Sequence, residues 1–230
     1  MLKLMSLEIK KFKLGGYVKG AMIANVILLA FLFFAYFVDK SEGLQTFKDY
    51  NELMIMSGTF IRLIFIIFSS VILSRLIIEE YKSNTISLLF TYPISRKKII
   101  LSKLIIAFSF TFICIVLSNI FIVGIIYFVG LFMDIVQEDL SLAIITSNII
   151  PLFLSAISSA GLGLLPLYFG MRKKSIPATI ISAIIITSLL NSTITDGFSL
   201  YNYIVIPIGL GCLGVLMAYL SIRNIDTADI

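Results

Sequence analysis

Six long runs of apolar residues, separated by short polar stretches, organise this chain. The runs are Tyr17–Val38, Ser57–Ile78, Ile99–Met133, Ala143–Phe169, Ile176–Thr195 and Tyr201–Ile222. A helix of about 20 residues crosses a hydrocarbon core of about 30 Å, and each run is at least that long. The pattern therefore predicts an all-α polytopic membrane protein with six transmembrane helices in a single domain, residues 1–230.

The amino-acid composition agrees with this pattern and argues against some classes of function. The 230 residues are 59% hydrophobic and 13% charged, whereas soluble domains hold about 25% charged residues. Histidine is absent, which removes the commonest general base and metal ligand. We therefore expect neither an enzyme nor a metal or other cofactor in this chain.

The distribution of charge predicts the orientation. Most of the 18 basic residues fall near the N-terminus, after the second run and after the fourth, whereas the loops between have mainly acidic residues. Basic loops stay on the cytoplasmic side. We expect both termini in the cytoplasm, a location in the bacterial cytoplasmic membrane, and anionic lipids rather than nucleic acid as the partner of these cations.

The first 16 residues predict an amphipathic helix in the inner interface. Leu2, Met5, Ile9 and Phe12 recur at helical spacing, with lysines beside them. The segment has no cleavage site and is not expected to be a signal peptide.

Residues 79–98, "EEYKSNTISLLFTYPISRKK", form the most polar island of the chain. Asn84 or the serine before it can cap a short helix, and Pro93 ends it. Within this helix an apolar face is formed by Ile86, Leu89 and Phe90. An apolar face of three residues cannot bury itself, so it is expected to lie on the membrane surface or in the groove of a partner.

The order of residues from 79 to 103 resembles the coupling segment of type 2 ATP-binding-cassette (ABC) exporter permeases. The six spans, the cytoplasmic termini and the N-terminal helix are similar to that family as well. The resemblance implies a permease domain that docks a cytoplasmic ABC ATPase through Glu79, Glu80, Tyr81, Asn84, Thr85, Ile86, Leu89 and Phe90. It also implies a connecting helix that includes Leu2, Met5, Ile9 and Phe12, and a second permease chain, identical or paralogous.

A phosphate-binding motif is missing from the chain. No G-x-x-x-x-G-K-[ST] occurs, and the glycines of "LGGYVKGAM" have the wrong spacing. ATP and Mg²⁺ are therefore expected on the partner ATPase.

Polar residues within the runs are candidates for a translocation path. Arg62 lies about one turn inside the second run, where it can reach the outer headgroups, pair with Glu52 or Asp49, or face a substrate. The other candidates are Asn25, Asn119 and Asn148, for which hydrogen bonding between helices is the alternative role.

Small residues form rows in the fourth and sixth runs. Ser155, Ser159 and Gly163 are spaced for close helix contact, as are Gly211 and Gly214. Packing within the chain is the favoured interpretation, and a dimer or substrate interface is the alternative.

The sequence thus predicts the membrane subunit of an ATP-driven exporter. The chain is similar to small peptide-exporter permeases of the phenol-soluble-modulin type, which implies hydrophobic or amphipathic peptides as cargo in toxin export or antimicrobial peptide resistance. Lipid or small-drug export is the alternative cargo, and a non-transport membrane scaffold the alternative class. A CAAX-type protease is disfavoured because such enzymes require histidines.

Overall fold

A computed structural model describes residues 2–12, 15–42, 49–83, 95–132, 142–191, 193–195, 198–199 and 205–223. The helices in these ranges are α1 (Leu2–Lys11), α2 (Gly15–Ser41), α3 (Tyr50–Leu73), α4 (Glu79–Lys82), α5 (Arg96–Gly130), α6 (Leu142–Leu162), α7 (Pro166–Lys173), α8 (Ile176–Asn191) and α9 (Val205–Arg223). The predicted all-α class is confirmed.

Within the part of the chain that the structure describes, four helical stretches are long and apolar enough to cross a membrane: Gly15–Ser41, Tyr50–Lys82, Lys97–Gly130 and Ile144–Lys173. They coincide with the first four predicted spans. Two shorter apolar helices, Ile176–Asn191 and Pro207–Ser221, coincide with the fifth and sixth. Four of the six predicted crossings therefore have helices of sufficient length, and the full set of six stays a prediction.

The fifth predicted span ends earlier than expected. Helix α8 stops at Asn191, and Thr193–Thr195 forms a short antiparallel pair with Phe198–Ser199. Three consecutive β-branched residues, Thr-Ile-Thr, favour extended over helical backbone.

Helix α3 continues into α4 through a π-helical turn, Ser74–Ile78. A π turn contains one residue more than an α turn and changes which carbonyls are paired within the helix. The result is a single helical rod, Tyr50–Lys82, with an irregular turn near its end.

The rod lies at the centre of the bundle, in contact with α5 and α8, and α9 packs along α6. One apolar cluster joins Ile72–Ile78 to the start of α5, and a second joins the first half of α3 to α2 and to the second half of α5. Helix α2 lies at the edge and presents large apolar side chains outward, among them Met22, Ile23, Phe34 and Phe37. Exposed apolar surface of this extent is typical of a lipid-facing or partner-facing helix.

Glycines bring α6 and α9 into backbone contact. A Cβ added at Gly214 would lie 2.2 Å from the Gly161 carbonyl oxygen, and one added at Gly211 would lie 2.9 Å from the Ser158 carbonyl oxygen. Small residues of α6 and α9 therefore serve packing within the chain, and the closest backbone approaches are made by Gly161 and Ser158 of α6. Gly163 has a different neighbour, since its carbonyl accepts from Ser69 Oγ at 3.2 Å.

Candidate functional site

Four charged side chains meet where α1, α4 and the start of α5 come together. They are Glu8, Lys11, Glu80 and Lys103, called the charge cluster below. Three of them are buried, with exposures of 6% for Glu8, 5% for Glu80 and 1% for Lys103. Two cations and two anions balance, so the cluster as a whole is neutral.

Lys103 is the centre of the charge cluster. Its ammonium group donates to the Glu80 carboxylate and, at 2.8 Å, to the Leu76 carbonyl oxygen within the π turn. It also lies 3.7 Å from Glu8 Oε2 and 5.4 Å from the centre of the Phe12 ring. Burying an ammonium group is costly unless it is paired and hydrogen-bonded. Each of these contacts offsets part of that cost, and together they hold three helices around a single cation.

Helix α1 is fastened to the cluster by two of its side chains. Lys11 Nζ donates to Glu80 Oε1 at 2.7 Å, and Glu8 lies against Lys103 one turn earlier. Burial raises the pKa of Glu8 above its usual value; Lys103 opposes that rise, whereas Glu80 adds to it. The Glu8 carboxylate is therefore easier to protonate than an exposed one.

A cavity of about 630 Å³ lies toward the opposite end of the bundle, between α3, α5, α6 and α9. It is called the Arg62 cavity below. Its lining includes Gly58, Arg62, Asn119 and Asn148, and most of the remaining lining residues are apolar. Arg62 and Glu80 lie 18 residues apart on the helical rod, so the cavity and the charge cluster are separated by about 27 Å along its axis.

Arg62 and Asn119 converge over Gly58. A Cβ added at Gly58 would lie 3.4 Å from Arg62 Nη1 and 3.6 Å from Asn119 Oδ1. Arg62 Nη2 donates to Thr59 Oγ1 at 2.8 Å, which fixes the guanidinium on its own helix. The missing side chain at Gly58 leaves room for these two polar groups to approach each other.

Asn148 connects α6 to α3 at the edge of the Arg62 cavity. Its Nδ2 donates to Asn51 Oδ1 at 2.8 Å and to the Ile144 carbonyl oxygen at 2.8 Å. The amide thus spans two helices that border the cavity.

Comparison with known proteins places the chain in a family. The sequence profile of a family described as "ABC-2 family transporter protein" matches residues 4–189. The chain belongs to the ABC-2 transporter family. A curated relative, the uncharacterized protein YcbO of Bacillus subtilis (strain 168), is 40% identical over 228 residues, which cover 99% of this chain and 100% of the relative. No solved structure matches.

Membership in the ABC-2 family identifies the chain as a membrane subunit of an ABC transporter, and thus as a multi-pass membrane protein. The family also implies a partner ATPase. The predicted ABC type 2 permease is confirmed at this level, and the peptide-exporter subtype stays a prediction.

The residues predicted to dock the ATPase divide into three groups in this ABC-2 subunit. Glu79 pairs with Arg75 at 3.2 Å, as their spacing predicts, and is partly exposed. Glu80 faces inward to the charge cluster, and Tyr81 packs against the neighbouring apolar cluster. The remaining five, Asn84, Thr85, Ile86, Leu89 and Phe90, lie outside the described residues.

Residues Leu2–Lys11 form a helix, α1, at the position of the predicted connecting helix, and the connecting role stays a prediction. The face that α1 turns inward is different from the predicted one. Met5 and Phe12 pack against the bundle, whereas Ile9 is 43% exposed. The Leu2 side chain lies outside what the structure describes. Among the described side chains of α1, Glu8 lies deepest, and it is paired with Lys103.

Three of the four predicted path residues, Arg62, Asn119 and Asn148, line the same cavity. Asn25 does not: its Nδ2 donates to the Ala21 carbonyl oxygen one turn earlier on α2. Asn119 and Asn148 likewise bond to carbonyls of their own helices, at Ile115 and Ile144.

Sequence reasoning missed the charge cluster. Lys103 follows Glu80 by 23 residues, a separation at which no helical or strand periodicity indicates that the two side chains pair. The one available signal was a lysine inside an apolar run, which requires an acidic partner. Among the described residues, no three potential metal ligands of the His, Cys, Asp and Glu type lie together.

Proposed function

We propose that this chain is the permease of an ABC exporter and that it receives the movement of its ATPase through residues 79–98. The observation that carries the proposal is the charge cluster, which joins α1 to α4 at the start of this segment and to Lys103 of α5, five residues after its end. A force applied to a helix at residues 84–90 would reach all three helices through Lys103 and Glu80. ATP and Mg²⁺ would be held by the ATPase, and both termini would lie in the cytoplasm of a bacterium.

In this proposal Glu80 does not contact the ATPase. It is a positioning residue that fixes the start of the segment, whereas Ile86, Leu89 and Phe90 supply the docking face. Two permease chains, identical or paralogous, would enclose the path, with lipids around them. The outward apolar face of α2 is a suitable surface for either the second chain or lipid.

Hydrophobic or amphipathic peptides are the proposed cargo, on the strength of the resemblance to small peptide-exporter permeases. Lipids or small hydrophobic compounds are the second candidate. This second candidate is favoured by one observation, the size of the Arg62 cavity, which falls in the range of small-molecule sites of about 300–1,000 Å³.

The test begins with capture of the ATPase. The tagged full-length chain is purified from membranes of its native host, and a co-purifying protein with a phosphate-binding loop is identified by mass spectrometry. The double variant Ile86→Asp/Leu89→Asp should lose this protein, because charges on the docking face cannot enter an apolar groove. The conservative variant Ile86→Val/Leu89→Met should retain it.

Two results would contradict the proposal. Equal capture by the aspartate variant would show that the ATPase docks elsewhere. Absence of any ATPase from the wild-type preparation would favour a membrane scaffold, the class of function that needs no motor.

A further inference from the structure

We propose that the Arg62 cavity binds a small uncharged amphiphile whose polar group is a hydroxyl, and that Ser158 recognises this hydroxyl. The proposal rests on the proposed function for its role in transport, since it names the chemistry of the second candidate cargo. Binding itself is expected in the isolated chain without an ATPase.

Ser158 is a buried serine in the wall of the cavity. It is 4% exposed, and it lies where α6 approaches the backbone of α9 at Gly211. Other serines of the bundle donate to a carbonyl oxygen of the preceding turn, as Ser155 does to Leu152 at 2.9 Å. The Ser158 hydroxyl has no hydrogen-bond partner among the residues that the structure describes. A buried hydroxyl without a partner is costly, and a bound group can supply the missing hydrogen bond.

The remaining polar groups of the lining favour an uncharged ligand. Asn119 and Asn148 are neutral amides, and Arg62 already donates to Thr59 and takes part in further interactions. The guanidinium is therefore assigned no role in binding. A charged head would be buried without a free partner of opposite sign among the described lining residues, which is costly. A hydroxyl avoids that cost, and it can either donate to Ser158 or accept from it.

The lining of the cavity suits an apolar body. Apart from the polar groups of Arg62, two asparagines and two serines, the lining consists of apolar side chains and glycines. Space is open beside Gly124 of α5, where an added Cβ would meet no atom within 4 Å. The volume of about 630 Å³ corresponds to a small molecule rather than to a folded peptide. We therefore assign a small amphiphile, not a helix of a peptide, to the site.

The cavity reaches the surface of the bundle. Three isoleucines of its lining, Ile55, Ile120 and Ile149, are 57%, 62% and 45% exposed. Exposed apolar surface of this kind is typical of a lipid-facing helix, so an amphiphile dissolved in the bilayer can enter past these residues. The hydroxyl then lies at Ser158 and the tail against the isoleucines.

The absence of tryptophan from the chain makes a direct binding experiment possible. A reporter is placed in the cavity with Ile120→Trp, and a matched reporter is placed on the outer face of α2 with Ile23→Trp, where the side chain is similarly exposed at 60%. The full-length chain in phosphatidylcholine nanodiscs is titrated with 11-bromoundecanol, whose bromine quenches tryptophan. Two matched probes, 1-bromoundecane and 11-bromoundecanoate, replace the hydroxyl with hydrogen or with a charged carboxylate.

The expected result is saturable quenching by bromoundecanol at Ile120→Trp, at about one tenth of the concentration required at Ile23→Trp, as one buried hydrogen bond would give. Bromoundecane should require similar concentrations at both reporters, because it has the tail without the hydroxyl. Adding Ser158→Ala should abolish the preference of bromoundecanol for the cavity reporter. Adding Ser118→Ala should preserve it, because Ser118 is a similarly buried serine that is not part of the cavity lining.

Equal quenching of both reporters by bromoundecanol would overturn the proposal, as would a preference that Ser158→Ala leaves unchanged. A preference of bromoundecane for Ile120→Trp as large as that of bromoundecanol would show that the hydroxyl is not recognised. A larger preference of bromoundecanoate for the cavity reporter would overturn the assignment of an uncharged ligand.

A second pair of variants tests occupancy of the cavity without changing Ser158. Gly124→Val fills open space in the lining and should weaken bromoundecanol binding. Gly209→Val should not, because that position likewise has no atom within 4 Å of an added Cβ but is not part of the lining. Undiminished binding in Gly124→Val would overturn the proposal even if Ser158→Ala does not fold. None of these outcomes affects capture of the ATPase, so failure of this proposal is distinguishable from failure of the proposed function.

Discussion

Lys103 donates to the carboxylate of Glu80 and to the carbonyl oxygen of Leu76, so one buried ammonium group joins the start of α5 to both the π turn and α4. The pair is inaccessible, with side-chain exposures of 1% and 7%. Each of the two charges is stabilised by the other, because water cannot reach either group to replace a lost partner.

Replacing Lys103 with methionine should destabilise the protein strongly. The variant removes the buried cation beside Glu80 and leaves the half-exposed Lys11 in its ion pair with that carboxylate, and breaking a buried pair costs about 3–5 kcal/mol. Thermal unfolding in detergent, followed by circular dichroism, measures the loss. Lys98→Met on the exposed face of the same helix is the control and should change stability by less than about 1 kcal/mol.

The double variant Lys103→Met/Glu80→Gln should recover part of the lost stability. It removes both charges, and a neutral buried pair avoids the desolvation cost of an isolated carboxylate. If the double variant is as unstable as the sum of the single variants, the two charges do not act as a pair.

Stability should depend on the protonation of Glu8. Burial raises the pKa of Glu8, so the folded protein binds its proton more tightly than the unfolded chain does. The stabilising contribution is complete below the usual value of 4.5 and is lost as pH rises through the folded-state pKa. Unfolding temperatures measured from pH 4 upward should therefore fall less steeply in Glu8→Gln than in wild type. Parallel profiles for the two proteins would contradict this expectation.

The glycines of α9 should differ sharply in their tolerance of a methyl group. Gly214→Ala places a Cβ against the Gly161 backbone, where the helices have to separate, at a cost of about 1–3 kcal/mol. Gly209→Ala on the same helix meets no atom within 4 Å and should be neutral or stabilise by up to about 1 kcal/mol. Thermal unfolding of the two variants provides the comparison, and equal effects would show that α6 and α9 are not in backbone contact.

Gly58→Ala should raise stability. The new Cβ makes contacts of ordinary length with Arg62 and Asn119, so the helix gains about 1 kcal/mol from replacing glycine. The same methyl group occupies space between the two polar groups of the cavity. Thermal unfolding measures the gain, and a lower unfolding temperature than that of wild type would show that the added methyl group displaces Arg62 or Asn119.

The helices could be predicted from sequence because each depends on a local pattern. A run of about 20 apolar residues has few other structures available to it, and Arg75 and Glu79 pair because four residues bring them to one face. Met5 and Phe12 were likewise recognised from spacing alone. The π turn was not predicted, since Ser74–Ile78 has no proline or glycine that would mark an irregular turn.

The candidate sites could be predicted only in part, because they depend on contacts between distant residues. Arg62, Asn119 and Asn148 were each identified as polar residues within apolar runs, but their meeting in one cavity follows from the packing of α3, α5 and α6. Glu8 and Lys103 are 95 positions apart in sequence, and only the docking of α1 onto α5 brings them to 3.7 Å. Asn25 is likewise a polar residue within an apolar run, but it lies on α2 and does not line the cavity. A polar residue within an apolar run is therefore not enough to identify a cavity residue.

The π turn also sets the direction in which the residues after it point around the axis of the rod. Each residue of an α-helix turns the chain by about 100°, and the π turn Ser74–Ile78 takes one residue more than an α turn. The residues after it are therefore rotated by about 100° from the positions that a regular α-helix of the same sequence would give them. Glu80 faces Lys103 because of this rotation. A regular α-helical turn made of the same residues would keep the rod continuous, yet it would direct the Glu80 carboxylate away from α5. The π turn therefore sets the direction in which Glu80 points relative to Arg62, in addition to the distance between the two residues along the rod.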